Sequence, residues 1–278
     1  MAYNKITLNG ETKIDLTQDT VTAEDVALGK TFHLNSGEIA TGTLEISSGG
    51  GEFFDRTFAN NSPDQISKVS AIISYNNMTS AEVETNFGWK LGDTISYKLS
   101  TGENIAMRII GFNHDTKSDG SGKAGITLDM TGRIAFSTIN NENTNAGGYP
   151  ASVLRNTKLP TIKATLPQEW QDVIKHVDKQ SANGSSSNYT EVLTTSEDLF
   201  LLSEMELQGY KRLSQINEGT QYEYWKNHNT NEARKSKGYA WLRSCYYEAP
   251  SYFCRLEDGA ISAVGALNSC GTSYAFCI

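Results

Sequence analysis

Trp241-Leu242-Arg243-Ser244-Cys245-Tyr246-Tyr247-Glu248-Ala249-Pro250-Ser251-Tyr252-Phe253-Cys254 opens the last 38 residues of the chain, which close on Ala275-Phe276-Cys277-Ile278. All four cysteines (Cys245, Cys254, Cys270, Cys277) fall in this span, among Tyr246, Tyr247, Tyr252, Phe253 and Tyr274 and many Ser, Asn, Ala and Gly residues. Tyrosine offers contact area at low entropic cost, and Ser, Gly and Asn add adaptable hydrogen bonds, so this composition predicts a binding face. The competing reading is a sheet core. It holds for the ends, where Trp241, Leu242, Phe276 and Ile278 are expected to be buried. Between Cys245 and Ser273 neither a 2-residue nor a 3.6-residue apolar period persists, which predicts loops and short strands there.

At 278 residues and 38% hydrophobic, the chain can bury a core as one large domain or two modest ones. A net charge of −8 with no basic stripe excludes nucleic acid as the main partner. There is no apolar run long enough to span a bilayer and no charged-then-apolar start, so neither membrane insertion nor Sec export is expected. The cysteines have no zinc-ligand spacing, no CxxC and no neighbouring His, so reduced thiols are expected, with no metal and no cofactor.

Residues 1–47 form a small polar module. Thr22 to Gly29 predicts a short helix with a hydroxyl N-cap and a glycine stop, and Asn35-Ser36-Gly37 predicts a hairpin turn between Thr31–His33 and Glu38–Ala40. The module holds little apolar residue content and is expected to need support from elsewhere. A Gly/Ser linker follows over 48–52, with Ser47-Ser48-Gly49-Gly50-Gly51 as its clearest run. Ser62-Pro63-Asp64 then caps a helix with Ile66, Val69 and Ile73 on one face. Ile95, Tyr97 and Leu99 alternate into a Thr101-Gly102 turn, and Ile105, Met107 and Ile109 alternate back, as in a hairpin.

The loop Asn113 to Gly122 places Asp115, Asp119 and Gly120 at calcium-loop positions, but Lys117 and Ile126 stand where acidic ligands are required, so it is expected to be a plain connection. It leads to a strand over Ala124–Met130. Residues 140–190 are rich in Asn, Ser and Gly, with one helix after Pro167 whose face is Trp170, Val173, Ile174 and Val177. Gly184 to Ser187 is expected to be a loop tip. Asp198 to Ser203 is a short apolar run consistent with a buried strand. Glu204 and Glu206 are expected on a solvated face. No GxSxG, P-loop or HExxH motif is present, and no set of acid and base residues converges in sequence, so no catalytic residue is assigned.

Two stretches carry resemblances. Ala23 to Thr43 resembles a segment common in phage tail-fibre and baseplate proteins, where it serves assembly, and this implies attachment and a homotrimer. Lys90-Leu91-Gly92-Asp93, Leu99 to Ile105, Ile110 to Asp115, Leu201-Leu202-Ser203-Glu204, Trp241 to Ser244 and Ala275 to Ile278 resemble a family of phage and gut-bacterial proteins with a C-type-lectin fold, over residues 53–278. The fold class implied is α+β, a C-type-lectin-like (formylglycine-generating-enzyme-like) domain behind a small N-terminal assembly module. Some members are variable proteins of diversity-generating retroelements, in which a reverse transcriptase mutates adenines in a C-terminal cassette, here residues 241–278.

In such a cassette Trp241 to Ser244 and Ala275 to Ile278 would be fixed strands and Cys254 and Cys277 framework residues, while Cys245 and Cys270 would be displayed. The ligand-binding positions implied are Cys245, Tyr246, Tyr247, Ala249, Pro250, Tyr252, Arg255, Leu256, Leu267, Asn268, Ser269, Cys270, Thr272 and Ser273. All but Asn268 belong to the set that adenine mutagenesis of Asn codons produces, and Asn268 would be an unmutated remnant. Family members commonly carry Arg-Pro ahead of Ala-Phe-Cys, whereas Thr272-Ser273-Tyr274 stand there in this chain. The expectation is a non-catalytic phage tail adhesin in the virion, with tail and baseplate proteins on one side and a bacterial surface protein or glycan on the other. The alternatives are a fixed baseplate part and, less favoured, a formylglycine-generating-like enzyme with Cys270 and Cys277 as its nearest equivalent of a copper pair.

Overall fold

A computed structural model describes residues 53–184 and 191–278 and, nearer the N-terminus, 5–8, 11–15, 22, 31–34, 36 and 38–41. The helix expected after Thr22, the turn residues Asn35 and Gly37, the Gly/Ser linker and the tip residues Ser185 to Ser187 lie outside the described residues. The chain divides into two compact units, Met1–Phe53 and Phe54–Ile278. In the first, β1 (Lys5–Leu8) pairs antiparallel with β2 (Glu11–Asp15), and β3 (Thr31–His33) pairs antiparallel with β4 (Ile39–Thr41). The segments on either side of Asn35-Ser36-Gly37 are therefore hairpin partners.

The second unit begins with two capped helices. α1 (Pro63–Tyr75) starts at a capping box in which the Ser62 hydroxyl accepts from the Gln65 amide and the Gln65 side chain accepts from Ser62 N–H, with Pro63 in the first turn. Ile66, Val69 and Ile73 are all buried, as their spacing predicts. α2 (Ser80–Phe87) repeats the device with Thr79 and Glu82. β5 (Thr94–Lys98) and β6 (Asn104–Phe112) form the expected hairpin, with Ile95 opposite Met107 and Tyr97 opposite Ile105. β7 (Ile126–Met130) is buried along its whole length.

β7 is approached closely by α1. A Cβ on Gly125 would lie 2.0 Å from the backbone oxygen of Ser70, so only glycine lets helix and strand meet. Gly125→Ala is expected to cost about 1–3 kcal/mol, measured as a lower urea midpoint, and an unchanged midpoint would mean that the two elements separate freely.

β8 (Ile134–Ser137) follows, then α3 (Gly148–Ala151), α4 (Leu159–Lys163) and α5 (Gln168–Val173). The apolar face predicted to run on to Val177 is cut short. The helix stops at Val173, Ile174 is extended, and Val177 opens β9 (Val177–Ala182). Trp170 and Ile174 enter the larger core and Val177 a second one, so their helical spacing joined residues that serve different cores. β10 (Val192–Glu197) pairs with β9, and β11 (Leu199–Leu201) is the expected buried strand. α6 (Glu204–Gln208), α7 (Glu223–Asn227) and α8 (Asn231–Arg234) lead to the end of the chain, a succession of strands joined by turns: β12 (Ala240–Cys245), β13 (Tyr252–Glu257), β14 (Ala260–Gly265), β15 (Cys270–Thr272) and β16 (Tyr274–Cys277).

These strands form two five-stranded sheets, ordered β11-β16-β7-β6-β5 and β14-β13-β12-β15-β8. With the helices they make a mixed α+β unit. The chain end supplies four strands of one sheet and then crosses into the other, between β11 and β7. Between Cys245 and Ser273 the chain runs as turns and strands of three to six residues, in line with the expectation of loops and short strands, with β13 and β14 forming a hairpin. No single period persists because turns separate the strands and β13 buries residues on both of its faces while Arg255 and Glu257 stay half-exposed. Phe253 packs into the larger core, and Cys254 and Leu256 pack into the second.

Candidate functional site

The frame of the site is built from Trp241-Leu242-Arg243-Ser244. β12 pairs regularly with β13 at Ala240 and Trp241 and again at Cys245, with an irregularity between them. Such an interruption bends a strand and re-aims its side chains. The Trp241 indole donates to Ser137 O at 2.8 Å. Arg243 is fully buried, donating through Nε to Gln180 O, through Nη1 to Leu201 O and to Glu206 at 2.5 Å, and through Nη2 to Glu218 O.

A chain of buried charges continues from Glu206. Its other oxygen accepts from Lys179 at 2.8 Å, and Lys179 also reaches Asp115 at 2.5 Å and the Tyr222 hydroxyl at 2.8 Å. Asp115 further accepts from Thr127 at 2.7 Å, from Tyr222 and from the Cys277 thiol. Burial opposes ionisation of Asp115, but Lys179 and the hydrogen bonds outweigh it and hold the carboxyl well below its ordinary range. Burial likewise opposes ionisation of Glu206, and Arg243 and Lys179 hold it low. The calcium-like loop thus sends its first acid inward to a lysine. Among the described residues no group of three or more His, Cys, Asp or Glu could hold a metal ion.

Glu204 and Glu206, expected in solvent, are buried. Ser203 caps α6 and Glu206 completes the capping box, which turns the Glu206 carboxylate back to the Ser203 amide. Glu204 then accepts from the amides of Arg212, Leu213 and Ser214, fixing that segment beside β12.

The displayed part is the loop from Tyr246 to Ser251 with Tyr252 at the start of β13. The Tyr246 ring meets Tyr247 edge-on at 5.2 Å between centroids and Tyr252 at 6.1 Å. Glu248 accepts from both the Tyr246 and the Tyr247 hydroxyls. Tyr247 and Tyr252 are 38% and 39% exposed, yet the backbone beneath them is held firmly. The buried Asn145 side chain donates to Ala249 O at 3.1 Å and to Tyr252 O at 2.9 Å, and its amide donates to Pro250 O at 2.8 Å. Tyr247 N donates to Leu213 O.

A second turn, Leu267 to Ser269, lies alongside, tied by Ala266 N to Ser251 O at 2.8 Å. A Cβ on Gly265 would stand 3.1 Å from Asn143 Oδ1, 3.3 Å from Asn268 Nδ2 and 3.7 Å from the Tyr252 ring, so the bare glycine lets these three groups converge.

Of the positions expected to bind, Tyr246, Tyr247, Ala249, Pro250, Tyr252, Leu267, Asn268 and Ser269 are exposed or half-exposed around these two turns. Arg255 is half-exposed on the flank of the sheet, over the Tyr239 ring and paired with Glu257. Five positions are corrected. Cys245, Leu256, Cys270, Thr272 and Ser273 are buried. Cys245 and Cys270 lie in the larger core and Leu256 in the second. Thr272 and Ser273 lie where the chain crosses between sheets, and Lys237 donates to Ser273 Oγ at 2.7 Å.

All four cysteines are thus buried, and burial pushes their thiols above the ordinary range. Cys270 and Cys277 belong to different sheets, on β15 and β16. Sequence reasoning missed Glu248, although it stands between Tyr247 and Ala249. It also missed the supports Asn143 and Asn145, whose only signal was an Asn-rich stretch.

Fold and site together define a class: an α+β domain whose chain end builds buried strands that carry a tightly anchored, tyrosine-rich loop. Residues 126–278, more than half of the chain, match the family described as a domain of unknown function (DUF6273), and the protein belongs to that family. No curated protein and no solved structure matches it. The matched span begins at β7 and includes the tyrosine loop and its frame, apart from Asp115.

Proposed function

We propose that the protein is a non-catalytic receptor-binding adhesin of a phage tail, and that the loop of Tyr246, Tyr247 and Tyr252 faces a ligand on a bacterial surface. The observation that carries this reading is the contrast between exposed aromatic rings and the buried Asn145 that pins the loop beneath them. A loop held in place binds without a large ordering cost. A C-type-lectin fold is part of the proposal. It is supported by the sequence resemblance and by the return of β16 beside β7 in a sheet that follows two helices. The N-terminal unit would attach the chain to the virion and trimerise it, and repetition of one weak site can raise avidity by ~10²–10⁴.

If a retroelement diversifies this face, the DNA beside the gene holds a near-copy of the last codons and a reverse-transcriptase gene, with adenine differences concentrated at the exposed positions. Fluorescently labelled full-length protein should stain intact cells of the host. Tyr247→Ala and Tyr252→Ala should each weaken staining by about 2 kcal/mol in apparent affinity, and two variants that stain like the parent would remove this face. A chain that stains no cell, and whose 245–273 surface is protected from labelling in assembled tails, would be a fixed baseplate part instead.

A further inference from the structure

A second concave site lies apart from the tyrosine loop. Its volume is ≈ 360 Å³, and Lys179, Glu206, Arg243 and Asp115 are among the residues that line it. That volume falls in the range of ligand pockets, about 300–1,000 Å³. We propose that this cleft binds a neutral, hydroxyl-rich molecule of the size of a mono- or disaccharide.

The floor sets the charge of the occupant. Two cations and two anions meet there, and they pair within the protein: Lys179 with Asp115 and Glu206, and Arg243 with Glu206. The three ammonium hydrogens of Lys179 are taken by Asp115, Glu206 and Tyr222. A phosphate would find no unpaired cation among the residues that line the cleft. A cation would meet Lys179 and Arg243. The floor groups are buried and already paired within the protein, so recognition falls to the groups at the mouth.

The mouth sets the chemistry. Asp178 and Gln180 border the cleft from the exposed face of β9, opposite to the buried face that carries Lys179, and Gln180 stands directly across from Thr194 on β10. Thr116 and Thr220 add hydroxyls, and the His114 ring is stacked on Tyr222 at 4.0 Å with Nε2 3.3 Å from Thr220 Oγ1. Burial lowers the affinity of His114 for a second proton, so the ring offers one donor and one acceptor. Hydroxyls, an amide, a carboxylate and a neutral imidazole match the mixed donor and acceptor character of sugar hydroxyls. The site stands on this geometry alone and does not depend on the adhesin reading.

The test is saturation-transfer NMR on the full chain with D-glucose, D-galactose and N-acetyl-D-glucosamine, and with inorganic phosphate as competitor. Transfer is expected from at least one of the sugars and no displacement by phosphate. Thr220→Trp, which fills the mouth, and Gln180→Ala should each weaken binding at least tenfold, while Tyr75→Ala, on a ring that is 91% exposed on α1, leaves it unchanged. Unfolding midpoints of the variants should match the parent, since the changed side chains are exposed. No transfer from any sugar, displacement by phosphate, or equal binding by the Thr220 and Gln180 variants would overturn the site. Sugar binding lost in Tyr252→Ala but kept in Thr220→Trp would also overturn it, and would place the sugar on the tyrosine loop.

Discussion

Arg243→Met is expected to destabilise the fold by about 3–5 kcal/mol, the range for breaking a buried ion pair from one side. The guanidinium holds three backbone carbonyls, those of Gln180 in β9, Leu201 in β11 and Glu218, together with the Glu206 carboxylate. Without it those carbonyls lose their donor and Glu206 keeps only Lys179 to balance its charge. The loss is a large part of a total stability of about 5–15 kcal/mol. It should appear as a lower urea midpoint with an unchanged slope. Adding Glu206→Leu should recover part of it, because charges are then removed in pairs. If the methionine variant fails to fold, Arg243→Lys, which keeps the charge but has fewer donors, should fall between it and the parent. A methionine variant within about 0.5 kcal/mol of the parent would show that the guanidinium holds nothing together.

Raising the pH from 5 to 8 is expected to remove about 2–3 kcal/mol of stability through one carboxyl, at about 1.4 kcal/mol for each unit of a pKa shift. Glu218 is buried, and burial is the largest influence on it. Arg243, the Ser244 hydroxyl and the Ala182 amide partly offset burial, and its pKa is pushed up to about 7 from 4.5. The fold therefore prefers the protonated acid. Its stabilising contribution is complete below pH 4.5, the unfolded value, and is lost as pH rises through about 7.

Asp115 and Glu206 act in the opposite sense, since both are held below their ordinary values. Their contribution is present above the unfolded carboxylate range and is lost as pH falls. Stability should thus peak in mildly acidic solution. Urea midpoints measured from pH 5 to pH 8 should decline for the parent, and Glu218→Gln, which stays neutral throughout, should flatten the decline. A flat parent profile would mean that Glu218 is already ionised in the fold.

Both effects converge on the frame beneath the tyrosine loop. Ser244 bonds Glu218 and accepts from the Glu204 amide, while Glu204 holds the segment that receives Tyr247 N. Loosening Arg243 or charging Glu218 should therefore disturb the loop as well as the core. A variant with weak binding should be compared with its unfolding midpoint before its side chain is assigned to the ligand.

By itself the sequence determined the elements whose cause is local. α1 follows from Ser62, Pro63 and Gln65 at its start and from Ile66, Val69 and Ile73 along one face. The β5–β6 hairpin follows from strict alternation on either side of Thr101-Gly102, and β11 from the short apolar run between polar neighbours. The special character of the chain end was legible in its Tyr, Cys, Ser and Gly content.

Only the tertiary structure decided which of those C-terminal residues face outward, because turns break the stretch into short strands and β13 buries Phe253 on one face and Cys254 and Leu256 on the other while Arg255 stays half-exposed. It also decided the fate of the acids. Asp115 meets Lys179 across 64 residues and Tyr222 across 107, separations at which no local pattern tells a carboxylate bound for solvent from one that will find a buried cation. The expectation failed at Glu206 for this reason, whereas Glu204 found the amides of Arg212, Leu213 and Ser214 in the segment after its own helix. Burial of a charge depends on partners that only folding brings within reach.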